Sequence, residues 1–115
     1  MFECEVYIND LLEAIKRIEN STKNKSFNQF SGDLELIDAT GMRCQIIGES
    51  VKKLPKKFLK KFSEIKWKYL KEIRNLISHN YFTFDVEIMW DFVQREIPSL
   101  KKVVIKMKKE IKWIN

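Results

Sequence analysis

Turn-forming residues are nearly absent from this chain, which has three Gly and two Pro in 115 residues. A sandwich or barrel of short strands needs a turn every few residues, so this scarcity argues for helices. The apolar pattern agrees. Val6, Ile8, Leu11, Leu12, Ile15 and Ile18 recur at helical spacing and predict a first helix from about Val6 to Asn20. The polar stretch Ser21 to Gly32 reads as a loop, with a short turn carrying Phe27 and Phe30. Asp33 is placed to cap a second helix from Leu34 to about Leu54, whose inward face is Leu36, Ile37, Thr40, Cys44, Ile47 and Val51. Pro55 suits the first turn of a short helix to about Phe62. Ser63 is the expected cap of a segment from about Ile65 to Ser78, with Trp67, Leu70, Ile73 and Ile77 in the core.

Asp85 is expected to cap a further helix to about Ile97, with Val86, Met89, Trp90 and Val93 inward. Pro98 then starts a last helix on the face Leu100, Val103, Val104, Met107 and Ile111. The fold class is therefore all-α, an antiparallel bundle of about five helices forming one domain over residues 1–115. Gly41 and Gly48 lie seven apart on one face of the second helix. Each costs about 1 kcal/mol of helix propensity, so each calls for close packing against a neighbouring helix or a second copy of the chain. The three Trp read as core or interface anchors.

No apolar run reaches the roughly 18 residues of a membrane span. The start, Met1-Phe2-Glu3-Cys4-Glu5, is acidic where a signal peptide is basic, so the expected location is the cytoplasm, away from any membrane. Cys4 and Cys44 have no CxxC spacing and no His neighbour, which leaves no metal site and reads both as reduced, buried thiols. The formal net charge is +6. It is concentrated in Lys52, Lys53, Lys56, Lys57, Lys60, Lys61, Lys66, Lys68 and Lys71, with only Glu64 against them. A second group holds Lys101, Lys102, Lys106, Lys108, Lys109 and Lys112. Such density either attracts a polyanion such as RNA or forms a solvated lysine-rich surface.

The chemistry concentrates in Arg74-Asn75-Leu76-Ile77-Ser78-His79-Asn80-Tyr81, which holds the sole histidine. An imidazole exchanges protons near neutral pH and serves acid–base catalysis. RNA carries its own nucleophile, the 2'-hydroxyl, so neither a metal nor a protein nucleophile is needed. Arg74 can offset charge on the phosphorane oxygens, and Asn75 can orient the phosphate or the imidazole. At about 100° per residue, Arg74 and His79 lie roughly 140° apart on an ideal helix. A site using both calls for a cleft between helices, or one completed by a second subunit in a two-fold dimer. The alternatives are ordinary ones: His79 as a helix-end residue, Arg74 in an ion pair with Glu72 or Asp85, and Tyr81 as a packed aromatic.

This segment resembles the R-x4-H signature of the HEPN superfamily, and the added x-Tyr resembles its HepT-like branch. The run CQIIGESVKKLP at Cys44–Pro55 and the block Ile65–Lys102 are similar to that branch, as is Tyr7–Ile18. The Ser21–Gly32 region is trimmed relative to the common pattern. The resemblance implies a metal-independent endoribonuclease, the toxin of a toxin–antitoxin pair, acting as a homodimer on RNA. It implies Arg74 and His79 as catalytic residues, Asn75 in support and Glu49 lining the cleft. The chain would use no cofactor. Its implied partner is a small nucleotidyltransferase antitoxin that spends ATP to transfer AMP to Tyr81. The competing readings are a non-catalytic substrate- or nucleotide-binding subunit of that transferase, and a helical interaction module.

Overall fold

Seven α-helices and one π-helical segment follow one another with short connections in the computed structural model, which describes residues 2–80 and 82–114, with side chains placed for 4–80 and 82–111. They are α1 (Phe2–Thr22), α2 (Phe27–Ser31), α3 (Leu34–Lys53), α4 (Lys56–Lys60), α5 (Trp67–His79), α6 (Val86–Asp91), the π segment Phe92–Glu96, and α7 (Ile97–Ile114). There is no strand among the described residues. None of the described helices is long and apolar enough to cross a membrane. The all-α bundle is the one expected.

Helix α3 is the centre of the bundle, packed between α1 and α5, while α1 also packs on α7. Neighbours run antiparallel. Arg43 of α3 reaches Arg17 and Ser21 of α1, Ser78 of α5 bonds Gln45 of α3, and Lys101 of α7 pairs with Glu19 of α1. The core carries the predicted faces: Ile8, Leu11, Ile15 and Ile18 from α1, Cys44, Ile47 and Val51 from α3, Leu70, Ile73 and Ile77 from α5. From α7 come Leu100, Val103, Val104, Met107 and Ile111. Val6 departs from its predicted face and is exposed, because at about 100° per residue it lies on the other side of α1 from the buried Cys4, Ile8 and Leu11.

Beyond α1, which starts four residues earlier than expected, three boundaries differ from the sequence reading. The stretch expected as a loop contains α2, started by a capping box in which Ser26 Oγ accepts from Gln29 N (3.1 Å) and Gln29 Oε1 accepts from Ser26 N (2.8 Å). The Ser-x-x-Gln spacing was its signal. Phe30 is buried there and meets the Trp90 ring at 5.0 Å. Ser63 does not cap α5; Lys66 stands at that position, without a side-chain cap bond. Phe62 and Ile65 are both buried, and Trp67 Nε1 donates to Leu59 O (3.1 Å) and Phe62 O (3.0 Å). Those anchors pull residues 61–66 into turns, and helix resumes only afterwards.

The third difference is at Pro98, which starts no new helix. Asp85 caps α6 by accepting from Glu87 N, and the chain then runs unbroken through the π segment into α7. Proline cannot donate to the carbonyl four residues back and its ring clashes with it. A wider turn, in which Ile97 N–H donates to Phe92 O, makes room just before the proline.

Both cysteines are free and buried, as expected. Burial pushes the Cys44 thiol from its ordinary 9.0 up to about 12. A folded-state value above the unfolded one favours folding below pH 9 and is lost as pH rises towards 12. Cys44→Ala leaves a small cavity and costs about 1–2 kcal/mol at neutral pH. Denaturant unfolding of parent and variant should show that gap narrowing between pH 9 and 11.

Candidate active site

Two of the predicted site residues, Glu49 and Arg74, meet between α3 and α5, and Gly48 sets how close those helices come. A Cβ at Gly48 would sit inside the van der Waals envelope of Arg74 Cβ, 2.7 Å from Arg74 Cγ and 3.3 Å from the Leu70 carbonyl oxygen. Of the two explanations for this glycine, close helix packing within the chain is the one the structure bears out. Gly41 is also buried.

Because the backbones approach so closely, the side chains beside Gly48 engage α5 directly. Glu49 Oε1 pairs with Arg74 Nη2. Arg74 Nη1 donates to Asn75 Oδ1 at 2.9 Å. The Arg74 side chain is 30% exposed and that of Glu49 38%, so the pair is half-sheltered. Arg74 Nε is buried with no hydrogen-bond partner among the described residues. One turn further, Ser78 Oγ donates to Gln45 Oε1 at 3.2 Å. A pair this exposed contributes at most about 1 kcal/mol to stability, so its effect is to aim the guanidinium rather than hold the fold. The alternative ion pair with Glu72 or Asp85 is not the one made; Arg74 pairs with Glu49 instead. That partner comes from across the helix interface, where sequence neighbours give no guide. The signal available was the spacing Gln45, Gly48, Glu49, which puts all three on one side of α3.

Asn75 braces Arg74 and makes no hydrogen bond to the imidazole. His79 is the last residue of α5 and is exposed. It makes no hydrogen bond among the described residues. Asn80 closes the helix behind it, its backbone N–H donating to Leu76 O at 3.0 Å and its Nδ2 to the same oxygen at 3.3 Å. The helix is unbroken from Trp67 to His79, so the wide angular separation of Arg74 and His79 stands, and one chain does not aim both at one point. Tyr81 lies outside the described residues. Among the described residues no cluster of three or more His, Cys, Asp or Glu is placed to hold a metal ion.

Comparison with known proteins decides the family. A family model for ribonuclease HepT-like proteins matches residues 11–107, which include the whole segment Arg74–Tyr81. The chain belongs to the HepT-like family. It is 37% identical over 109 residues to a protein of Methanocaldococcus jannaschii named as a gamma-glutamylcyclotransferase and inferred RNase, covering 95% of this chain and 49% of that one. It thus spans about half the length of that relative. It is 36% identical over 103 residues to a protein of Thermococcus cleftensis named a probable ribonuclease HepT, covering 90% of this chain and 94% of that one. A Caldanaerobacter subterraneus protein named as an inferred RNase is 36% identical over 98 residues, covering 85% and 88%. No solved structure is a significant match.

In this HepT-like chain the stability of the site rests on Gly48 more than on the ion pair. Gly48→Ala gains about 1 kcal/mol of helix propensity but forces α3 and α5 apart at a point where no flexible tip can yield. The expected net loss is about 2 kcal/mol, whereas Glu49→Gln should change stability by under about 1 kcal/mol. Chemical denaturation of the two variants beside the parent checks the ordering.

Proposed function

We propose that this chain is a metal-independent endoribonuclease whose active site is completed by a second copy of itself. The observation that carries the reading is the arrangement of its two ionic groups. An exposed imidazole ends α5, and a braced, half-sheltered guanidinium sits over a turn earlier on another side of that helix. Within one chain the two diverge, and a two-fold partner would bring the imidazole of one chain to the guanidinium of the other. Apolar side chains beside His79 support such a contact: Leu76 is 47% exposed and Phe82 is 94% exposed.

In the cleft, Arg74 would bind the scissile phosphate and offset charge developing on its nonbridging oxygens. The phosphate would share the guanidinium with Glu49. An imidazole would take the 2'-hydroxyl proton as that oxygen attacks phosphorus, and a proton would be returned to the departing 5'-oxygen. The products are a 2',3'-cyclic phosphate and a 5'-hydroxyl end. The family resemblance extends the reading to a toxin, held in check by a nucleotidyltransferase antitoxin. That partner would join the Tyr81 phenol oxygen to the α-phosphorus of ATP, releasing pyrophosphate. Each transferred AMP would add negative charge and bulk close to the phosphate site.

His79→Ala should lower RNA cleavage by a factor of about 10²–10⁴. Because the imidazole is exposed, the variant should fold like the parent, with an unchanged far-ultraviolet circular dichroism spectrum. Cleavage should persist in excess chelator and leave cyclic phosphate ends. Equal cutting by parent and variant would replace this reading with that of a non-catalytic subunit of the nucleotidyltransferase. For the silencing step, protein co-expressed with the transferase should gain mass in steps of one AMP, and Tyr81→Phe should gain none.

A further inference from the structure

A second site lies along the same helix. Where α4 meets the start of α5 there is a cavity of about 420 Å³, lined by Lys56, Lys60 and Lys71, by the apolar side chains of Leu59 and Ile65, and by Trp67. That size is in the range of ligand pockets. Its charge sets it apart. Four other hollows on the surface each include a carboxylate: Glu13 between α1 and α7, Asp10 and Glu13 between α1 and α3, Glu87 and Asp91 beside Trp90, and Glu19 beneath the α1–α2 turn. This one has none. Nor are its lysines neutralised from elsewhere. Lys61, Lys101 and Lys106 pair with Glu110, Glu19 and Glu64, while Lys56, Lys60 and Lys71 pair with no carboxylate among the described residues.

The aromatic wall is held in place. The two carbonyls that accept from the indole N–H fix the Trp67 ring before any ligand arrives. The cavity is also aligned with the catalytic arginine. Trp67, Lys71, Arg74 and Ser78 fall within roughly 60° around α5, and a rise of about 1.5 Å per residue puts Lys71 roughly 4.5 Å and Trp67 roughly 10.5 Å from Arg74 along the axis. Unneutralised cations, a fixed ring and apolar walls are what a single-stranded nucleic acid uses, phosphates on the lysines and a base on the aromatic and apolar surface.

We infer that the α4–α5 cavity is a binding subsite for single-stranded RNA, holding the phosphate and base of a nucleotide that neighbours the one at Arg74. The inference rests on the ribonuclease reading for its ligand, but its test does not depend on cleavage. A fluorescently labelled single-stranded RNA oligonucleotide is titrated by anisotropy at several salt concentrations into His79→Ala protein, and into the same protein carrying Lys56→Gln with Lys60→Gln. A matched pair, Lys23→Gln with Lys25→Gln, removes equal charge from the far end of the α1–α3 pair. Each lysine–phosphate pairing that a substitution removes lowers the slope of log affinity against log salt by about 0.7 for a single strand. The Lys56/Lys60 variant should lose about 1.4 from that slope and bind roughly tenfold more weakly at low salt. The control pair should change neither.

Equal losses in both pairs would make the effect one of net charge and overturn the subsite. Unchanged binding by the Lys56/Lys60 variant, or no RNA binding by His79→Ala protein, would also overturn it. Parent protein that cuts RNA, together with unchanged binding by the Lys56/Lys60 variant, discards the subsite and keeps the ribonuclease. Lysine-dependent binding by a parent that cuts no better than His79→Ala keeps the subsite and discards the catalytic reading.

Discussion

The closeness of α3 and α5 at Gly48 is the constraint on which the site depends. A methyl group there would overlap the base of the Arg74 side chain, so the α3 backbone at Gly48 packs directly on that side chain with nothing of its own in between. The neighbours of the glycine consequently act as side-chain partners of α5. Glu49 takes the guanidinium and Gln45 takes the Ser78 hydroxyl. The energy involved in these polar contacts is small beside that of the apolar seam of Cys44, Ile47, Val51, Leu70, Ile73 and Ile77, all buried. Hydrophobic burial holds the helices together, the glycine sets their distance, and the polar pairs follow from that distance.

This arrangement separates the duties of the motif. Arg74 is held by Asn75 beside it and Glu49 across from it, leaving its charge in place but its fork oriented. His79, at the end of the helix, is tied to nothing described and remains accessible. A rigid cation and an open proton carrier are suited to phosphodiester chemistry, in which charge stabilisation needs preorganisation and proton transfer needs access to the reacting oxygens. The lysine-lined cavity by Trp67 continues the same face of α5 and would give a bound strand a direction along the helix.

Much of the fold was legible because long amphipathic helices write their inward faces at a 3.6-residue period. The inward faces of α3, α5 and α7 could be named residue by residue, and those of α1 with the exception of Val6. Errors fell where a local signal competed with packing. Ser63 has the chemistry of a cap, yet burial of Phe62 and Ile65 on either side keeps it in a turn. Pro98 has the chemistry of a helix start, yet a single π turn accommodates it in a continuous helix. The capping box at Ser26 is a local signal that the polar composition around it masks. In the site, the positions of Arg74 and His79 on one helix and their divergence could be worked out from spacing, but the partner of Arg74 could not.

The amino-acid sequence alone determined the helical class, most core faces, the residues available for acid–base and phosphate chemistry, and a surplus of lysine before α5. These depend on residue type and on short-range periodicity, both of which are local. Tertiary structure decided which carboxylate meets Arg74, why Gly48 must lack a side chain, and which three lysines share a cavity with a fixed Trp67 ring. Those facts arise from the register between antiparallel helices that are distant in the chain. That register is set by the packing of many apolar side chains at once, so no single stretch of sequence encodes it.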